Sequence, residues 1–92
     1  MFSSSGFPTV SIAIVNYNQG KYLGAAIQSV LRQTYDDFEL WIWDDGSTDN
    51  SVTIAQDWAM QDRRVRVVAA AHQGLTIARS QALRCAQGHY LG

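Results

Sequence analysis

Phe38-Glu39-Leu40-Trp41-Ile42-Trp43-Asp44-Asp45-Gly46-Ser47-Thr48-Asp49-Asn50 decides how this chain folds. From Phe38 to Trp43 the run is apolar and aromatic but for Glu39, which reads as a buried strand, and Gly46 marks where the chain turns. Two carboxylates stand at the end of that strand. Burying them is costly unless donors, a cation or a ligand meet them. In an open α/β sheet the carboxyl ends of the strands are where ligands bind. The acidic turn is therefore the first candidate for function.

On either side of it the pattern alternates strand and helix. Val10 to Val15 is a short apolar run stopped by Asn16-Tyr17-Asn18-Gln19-Gly20, and Leu23, Ala26, Ile27, Val30 and Leu31 then recur at the spacing of an amphipathic helix. After the acidic turn, Ser47, Thr48, Asp49 and Asn50 are candidate N-caps for a second helix. Its stripe is Val52, Ala55 and Ala59, with Ile54 and Trp58 beside it. Val65 to Ala69 reads as a third strand. Leu75, Ala78, Ala82, Leu83 and Ala86 form a third helical stripe that Gly88 can close. A fourth strand starts at His89-Tyr90-Leu91-Gly92. The alternation means βαβ units and an α/β fold of three layers around a mostly parallel, Rossmann-like sheet. A doubly wound domain of this kind normally continues, so the fold is expected to be truncated at Gly92.

Ninety-two residues allow one small domain, with residues 1–7 as a flexible N-terminal lead-in. A net charge of −1 gives no reason to expect nucleic acid as a partner. No apolar run approaches the roughly 20 residues that span a bilayer, and the N-terminus has no signal-peptide pattern. The single cysteine, Cys85, fits a reducing compartment and reads as filler on a helix face. The expected location is cytoplasmic, at the inner face of a membrane only through regions outside this chain. Exposed strand edges predict self-association into a homodimer or larger species.

Four segments in order resemble family 2 glycosyltransferases, which have the GT-A fold. Pro8-Thr9-Val10-Ser11-Ile12-Ala13-Ile14-Val15-Asn16-Tyr17-Asn18 is similar to the family's opening strand, and Tyr22-Leu23 through Gln33-Thr34-Tyr35 to its first helix. Asp44-Asp45-Gly46-Ser47-Thr48-Asp49-Asn50-Ser51 resembles its most recognisable turn, and Gly74-Leu75-Thr76-Ile77-Ala78-Arg79-Ser80-Gln81-Ala82-Leu83 its third helix. On this resemblance residues 8–92 are the N-terminal part of a GT-A glycosyltransferase domain. The chain departs from the pattern at Val15, Asn16 and Ser80-Gln81, where proline or threonine, threonine or serine, and asparagine with a small residue are usual.

The resemblance implies a nucleotide-diphosphate sugar as donor, with uridine diphosphate the nucleotide, and an acceptor hydroxyl that the residues do not identify. It places Asn16, Tyr17, Asp45 and Arg79 at the nucleotide: Tyr17 stacking on the base, Asp45 accepting from base N–H or ribose hydroxyl, and Arg79 reaching base or phosphate. The family's metal-binding Asp-x-Asp and its catalytic base lie downstream of Gly92. A divalent cation, Mn or Mg, is thus expected only in the full-length enzyme, and this chain is expected to hold no metal, no catalytic residue and no activity alone.

Plainer readings compete at each position. Asp44 reads as a polar turn group, capping the second helix or solvated. Tyr17 could pack on the first helix, and Arg79 could pair with Asp44 or Asp45. Trp41 and Trp43 read as sheet packing, and His72 as a loop residue near the pocket mouth. Arg63, Arg64 and Arg66 read as a solvated corner. A receiver domain needs its acid pair after strand one and a later lysine, whereas Lys21 is the only lysine. A dinucleotide-binding domain needs Gly-x-Gly-x-x-Gly, which Asn16 to Gly20 does not offer. The remaining alternative is a non-catalytic nucleotide-binding or interaction module of α/β type.

Overall fold

The apolar runs of the sequence lie side by side. Val10–Asn16 (β1) and Phe38–Asp45 (β2) pair in parallel, from Val10 opposite Phe38 to Asn16 opposite Asp44. Val65–Ala70 (β3) pairs with the other edge of β2, ending with Asp45 opposite Ala70. This arrangement comes from a computed structural model that describes residues 10–33, 37–85 and the backbone of 89–90. The expectations for residues 1–7, Ala86 and Gly88 lie outside the described residues.

Among the described residues three helices connect the strands: Gly20–Leu31 (α1), Ser51–Gln61 (α2) and Leu75–Cys85 (α3). A short strand, His89–Tyr90 (β4), pairs in parallel with the start of β1, giving the sheet order β3-β2-β1-β4. From β1 to β3 the chain moves one way across the sheet, then returns past β1 to β4. Parallel crossovers are right-handed, so that reversal puts α3 on the face opposite α1 and α2. The three layers expected from the alternation are present.

Strand side chains alternate between the two faces. Ile12, Leu40, Ile42 and Val65 meet Leu23 and Ile27 of α1 and Ala55 of α2 on one face. Ile27, Leu40 and Ile42 are fully buried, and each such side chain contributes about 1.5–3 kcal/mol. On the other face Ala13 and Trp43 pack under Ala78 and Ala82, with Trp41, Val68 and Cys85 against them. Both faces of β2 are covered, which is why its sequence reads as a continuous apolar run. Trp41 and Trp43 are sheet packing, as expected.

Several expectations are corrected. The buried stripe of α3 is Ala78 and Ala82, whereas Leu75 and Leu83 are exposed. Small residues let the helix backbone approach the bulky tryptophan pair, so the leucines face outward. Ala26 of α1 is likewise exposed. Arg64 is not a solvated corner: its guanidinium bonds Asp62 at 2.7 Å and lies 4.7 Å over the Phe38 ring. No helix among the described residues is long and apolar enough to cross a membrane.

Candidate functional site

The C-terminal ends of β1 and β2 carry the polar groups picked out in the sequence. Alternation along β2 sends Asp44 to the α1/α2 face and Asp45 to the α3 face. Both are buried, with 1% of each exposed. Their partners differ completely.

Asp44 builds the turn beneath it. It accepts from the Ser47 backbone N–H at 2.8 Å, from Ser47 Oγ at 2.7 Å and from Asn16 Nδ2 at 3.0 Å. It is thus a polar turn group, as expected, but it neither caps α2 nor sits in solvent. The N–H and O–H donors of its own turn make burial tolerable. Asn16 is itself buried, and its amide is spent on Asp44 and, at 3.3 Å, on Ser47 Oγ.

Asp45 instead holds the segment between β3 and α3. Its carboxylate accepts from the backbone N–H of Gln73 at 2.9 Å and of Gly74 at 3.0 Å. His72 Nδ1 lies 2.9 Å from Asp45 Oδ2 and 3.1 Å from the Asp45 main-chain oxygen. Both oxygens are acceptors, so the ring proton is assigned to Nδ1. Burial works against ionisation of Asp45, but the N–H groups of Gln73 and Gly74 and the His72 imidazole outweigh it and hold the carboxyl below its usual value.

Gly46 makes the close approach between these segments possible. Its φ is +75°, and a Cβ there would lie 2.5 Å from the His72 nitrogen and 2.9 Å from its Cα. The half-exposed His72 ring stacks on Tyr17, centroids 4.2 Å apart and planes inclined by 25°. Tyr17 thus packs on the β3–α3 loop. Of the four residues placed at the nucleotide by resemblance, Tyr17 and Asp45 are brought together through His72.

Arg79 comes from α3. It is exposed on α3, where with Leu75 and Thr76 it lines a surface groove of about 230 Å³. Among the described residues it forms no ion pair with Asp44 or Asp45; the side chain that faces Asp45 is His72.

A second set of bonds ties the first two strand-to-helix turns together. Asn18, at φ 53°, accepts from the backbone N–H of Thr48 at 2.8 Å and of Asp49 at 3.3 Å. Asp49 accepts from Gly20 N at the start of α1 and from Ser51 N and Oγ at the start of α2. Asn50, the residue in the N-cap position, makes no side-chain cap bond. The Ser51 hydroxyl and the Gly20 N–H hold the Asp49 carboxyl below its usual value. His72, expected as a loop residue near the pocket mouth, lies in the loop before α3, while Asn18 and Gln73 were given no role from the sequence. The one local signal was a glycine beside each, Gly20 near Asn18 and Gly74 after Gln73.

Among the described residues no group of three or more His, Cys, Asp or Glu could hold a metal ion. Asp45 and His72 make the nearest approach to one, but their facing atoms bond each other.

With this geometry in hand, the likeness to known proteins is informative. Residues 11–92 match the family model described as glycosyl transferase family 2. The chain is 41% identical over 85 residues to the uncharacterized glycosyltransferase EpsJ of Bacillus subtilis, covering 92% of this chain and 25% of that protein. It is 40% identical over 85 residues to a chondroitin synthase of Escherichia coli, covering 92% of this chain and 12% of that protein. Its fold is similar to that of the mannosyltransferase PcManGT of Pyrobaculum calidifontis, solved in complex with GDP-Man and Mn2+. The TM-score is 0.79 at 23% identity, over 88% of this chain and 25% of that one. The chain spans a quarter or less of the length of these relatives.

Proposed function

Since this chain belongs to glycosyl transferase family 2 and has the GT-A type of α/β fold, we propose that it forms the nucleotide-sugar-binding part of an enzyme that transfers a sugar from a nucleotide-diphosphate donor to an acceptor hydroxyl. The observation that carries this reading is the Asp45–His72–Tyr17 constellation at the carboxyl ends of β1 and β2, beside the point where the strand order reverses. Open α/β sheets bind ligands there.

In this proposal uridine diphosphate is the nucleotide. Tyr17 supplies an aromatic surface for the base, and Asn16 and Asp45 shape the wall from below. An ionised carboxylate offers about four acceptor positions, of which Asp45 uses three on Gln73, Gly74 and His72. Arg79 meets the donor as a fixed positive charge suited to phosphate. A divalent cation, Mn or Mg, is assigned to the whole enzyme; the described residues do not fit one. This chain alone binds nucleotide and does not transfer sugar. Self-association through the sheet edges belongs to the same proposal, and light scattering tests it.

Calorimetric titration of the purified chain with UDP, GDP and the corresponding monophosphates tests the central claim. Saturable binding of UDP is the expected result. Absence of binding by every nucleoside diphosphate overturns the reading, and manganese-dependent UDP release from a sugar donor by this chain alone overturns its inactivity.

A further inference from the structure

The Arg64 carbonyl accepts from the Leu40 N–H at 2.8 Å, so the main-chain groups of Arg64 face β2. Direction alternates along a strand: Arg66, Val68 and Ala70 also face β2, while Val65, Val67 and Ala69 turn their groups outward. β3 is the last strand on its side of the described sheet. Its sequence, Val-Arg-Val-Val-Ala-Ala, has one charge and no proline, so this edge lacks most of the devices that keep edge strands apart. The helix above it is bare on the same side. Ile54 and Trp58 of α2 turn toward α1, where they neighbour Gly24. Val52, Gln56 and Met60, spaced four apart on the opposite flank of α2, look out across β3. Met60 is 86% exposed, more than any other large apolar side chain described. We propose that this flank, the outer edge of β3 with the Val52–Gln56–Met60 stripe of α2, joins two copies of the chain, β3 antiparallel to β3 about a two-fold axis at Val67. The proposal rests on the self-association reading and names its surface.

The register follows from which groups are free. Centred on Val67, the pairing sets Val67 opposite Val67 and Val65 opposite Ala69, all residues whose main-chain groups point outward. A centre on Arg66 or Val68 opposes groups already used on β2. On the α3 face Arg66 lies opposite Val68 of the other copy, so its stem covers an apolar group and no like charges are directly opposed. The Arg66 head stays beside Glu39 of its own sheet, 3.7 Å away. The two α2 helices run antiparallel across the axis, Met60 toward Val52 of the other copy and Gln56 toward Gln56. A two-fold contact of this kind closes at the dimer.

Sedimentation equilibrium of the purified chain is expected to show a dimer, and a spin label reads which edge forms it. Arg66→Cys, in a Cys85→Ser background, carries the label on an exposed position of β3. Strands lie about 4.8 Å apart, so labels on paired β3 strands fall within about 20 Å, whereas pairing through β4 holds the two β3 strands roughly 34 Å apart. Two substitutions then break the contact from either layer. Gln56→Lys, at an exposed helix position, sets two cations together across the axis, and Ala69→Pro removes an outward N–H. Each is expected to weaken the dimer about tenfold or more and to leave the far-UV circular dichroism of the chain unchanged. A dimer without the short label distance, or either variant dimerising as tightly as wild type, overturns this surface and leaves self-association standing. A monomer at every concentration overturns both.

Discussion

The imidazole of His72 bridges Asp45 to Tyr17: Nδ1 sits 2.9 Å from the carboxylate and the ring stacks on the phenol with centroids 4.2 Å apart. Three separate chain segments meet there, the ends of β1 and β2 and the loop before α3. Perturbing any of the three is felt by the others.

Asp45→Asn tests the centre of that junction. An amide keeps one accepting oxygen and turns an N–H toward donors that the second carboxylate oxygen now satisfies. Loosening of the Gln73–Gly74 segment and a drop in UDP affinity of roughly tenfold or more are expected. Calorimetry with equal affinities in wild type and variant would remove Asp45 from the binding machinery.

Gly46→Ala is expected to be among the most damaging single methyl additions. It combines a φ of +75° with backbone atoms of His72 at 2.5 and 2.9 Å, which cannot swing aside as a side-chain tip can. A loss of about 3 kcal/mol or more in urea unfolding is expected. Gly74→Ala is the comparison: φ is +98° but nothing lies within 4 Å, so only the conformational cost of about 1 kcal/mol applies. Equal losses would show that close approach to His72 contributes nothing.

Asn18→Ala removes the acceptor for two backbone N–H groups and leaves a non-glycine residue at φ 53°. About 1–2 kcal/mol of stability should be lost. Asn18→Gly restores the backbone freedom but not the acceptor, and is expected to recover part of the loss. A variant as stable as wild type would mean that the two turns are held together by other bonds.

Acidification should destabilise the fold in a defined window. The carboxyls of Asp45, Asp49 and Asp62 all titrate below their ordinary value of 3.8 in the folded protein. For Asp62 the Arg64 guanidinium is the main cause. A lowered folded-state pKa means that the unfolded chain takes up protons first, so the contribution is fully present above the ordinary value and is lost as pH falls through it toward the folded one. Urea midpoints are expected to hold from pH 7 to about 5 and to fall steeply below about 4. Asp49→Asn should make that fall shallower, and an unchanged slope would count against Asp49 as one of its sources.

Much of the fold was legible because its signals are local. Leu40 with Ile42 and Trp41 with Trp43 face opposite layers, so β2 shows itself as an unbroken apolar run. The third helix was harder to read. Leu75 and Leu83 fall at helical spacing with Ala78 and Ala82, yet close packing on Trp43 selects the alanines and turns the leucines out. At the site, the acidic pair was visible and its division of labour was not. Asp44 answers to Ser47, three residues on, but Asp45 answers to Gln73 and Gly74, nearly thirty residues away. His72 follows three alanines that give no hint of its ring stacking on Tyr17.

Asp49 has a consequence for whatever lands on the strand ends. One carboxylate receives the first N–H of α1 on one oxygen and the first N–H of α2 on the other. The positive ends of two helix dipoles thus converge on a single resident anion. An incoming diphosphate finds those two helix ends already neutralised and must draw its positive charge from elsewhere. The rim itself is tied shut when the chain folds, so the freedom lost in ordering it belongs to folding, and a ligand binds to a surface that is already set.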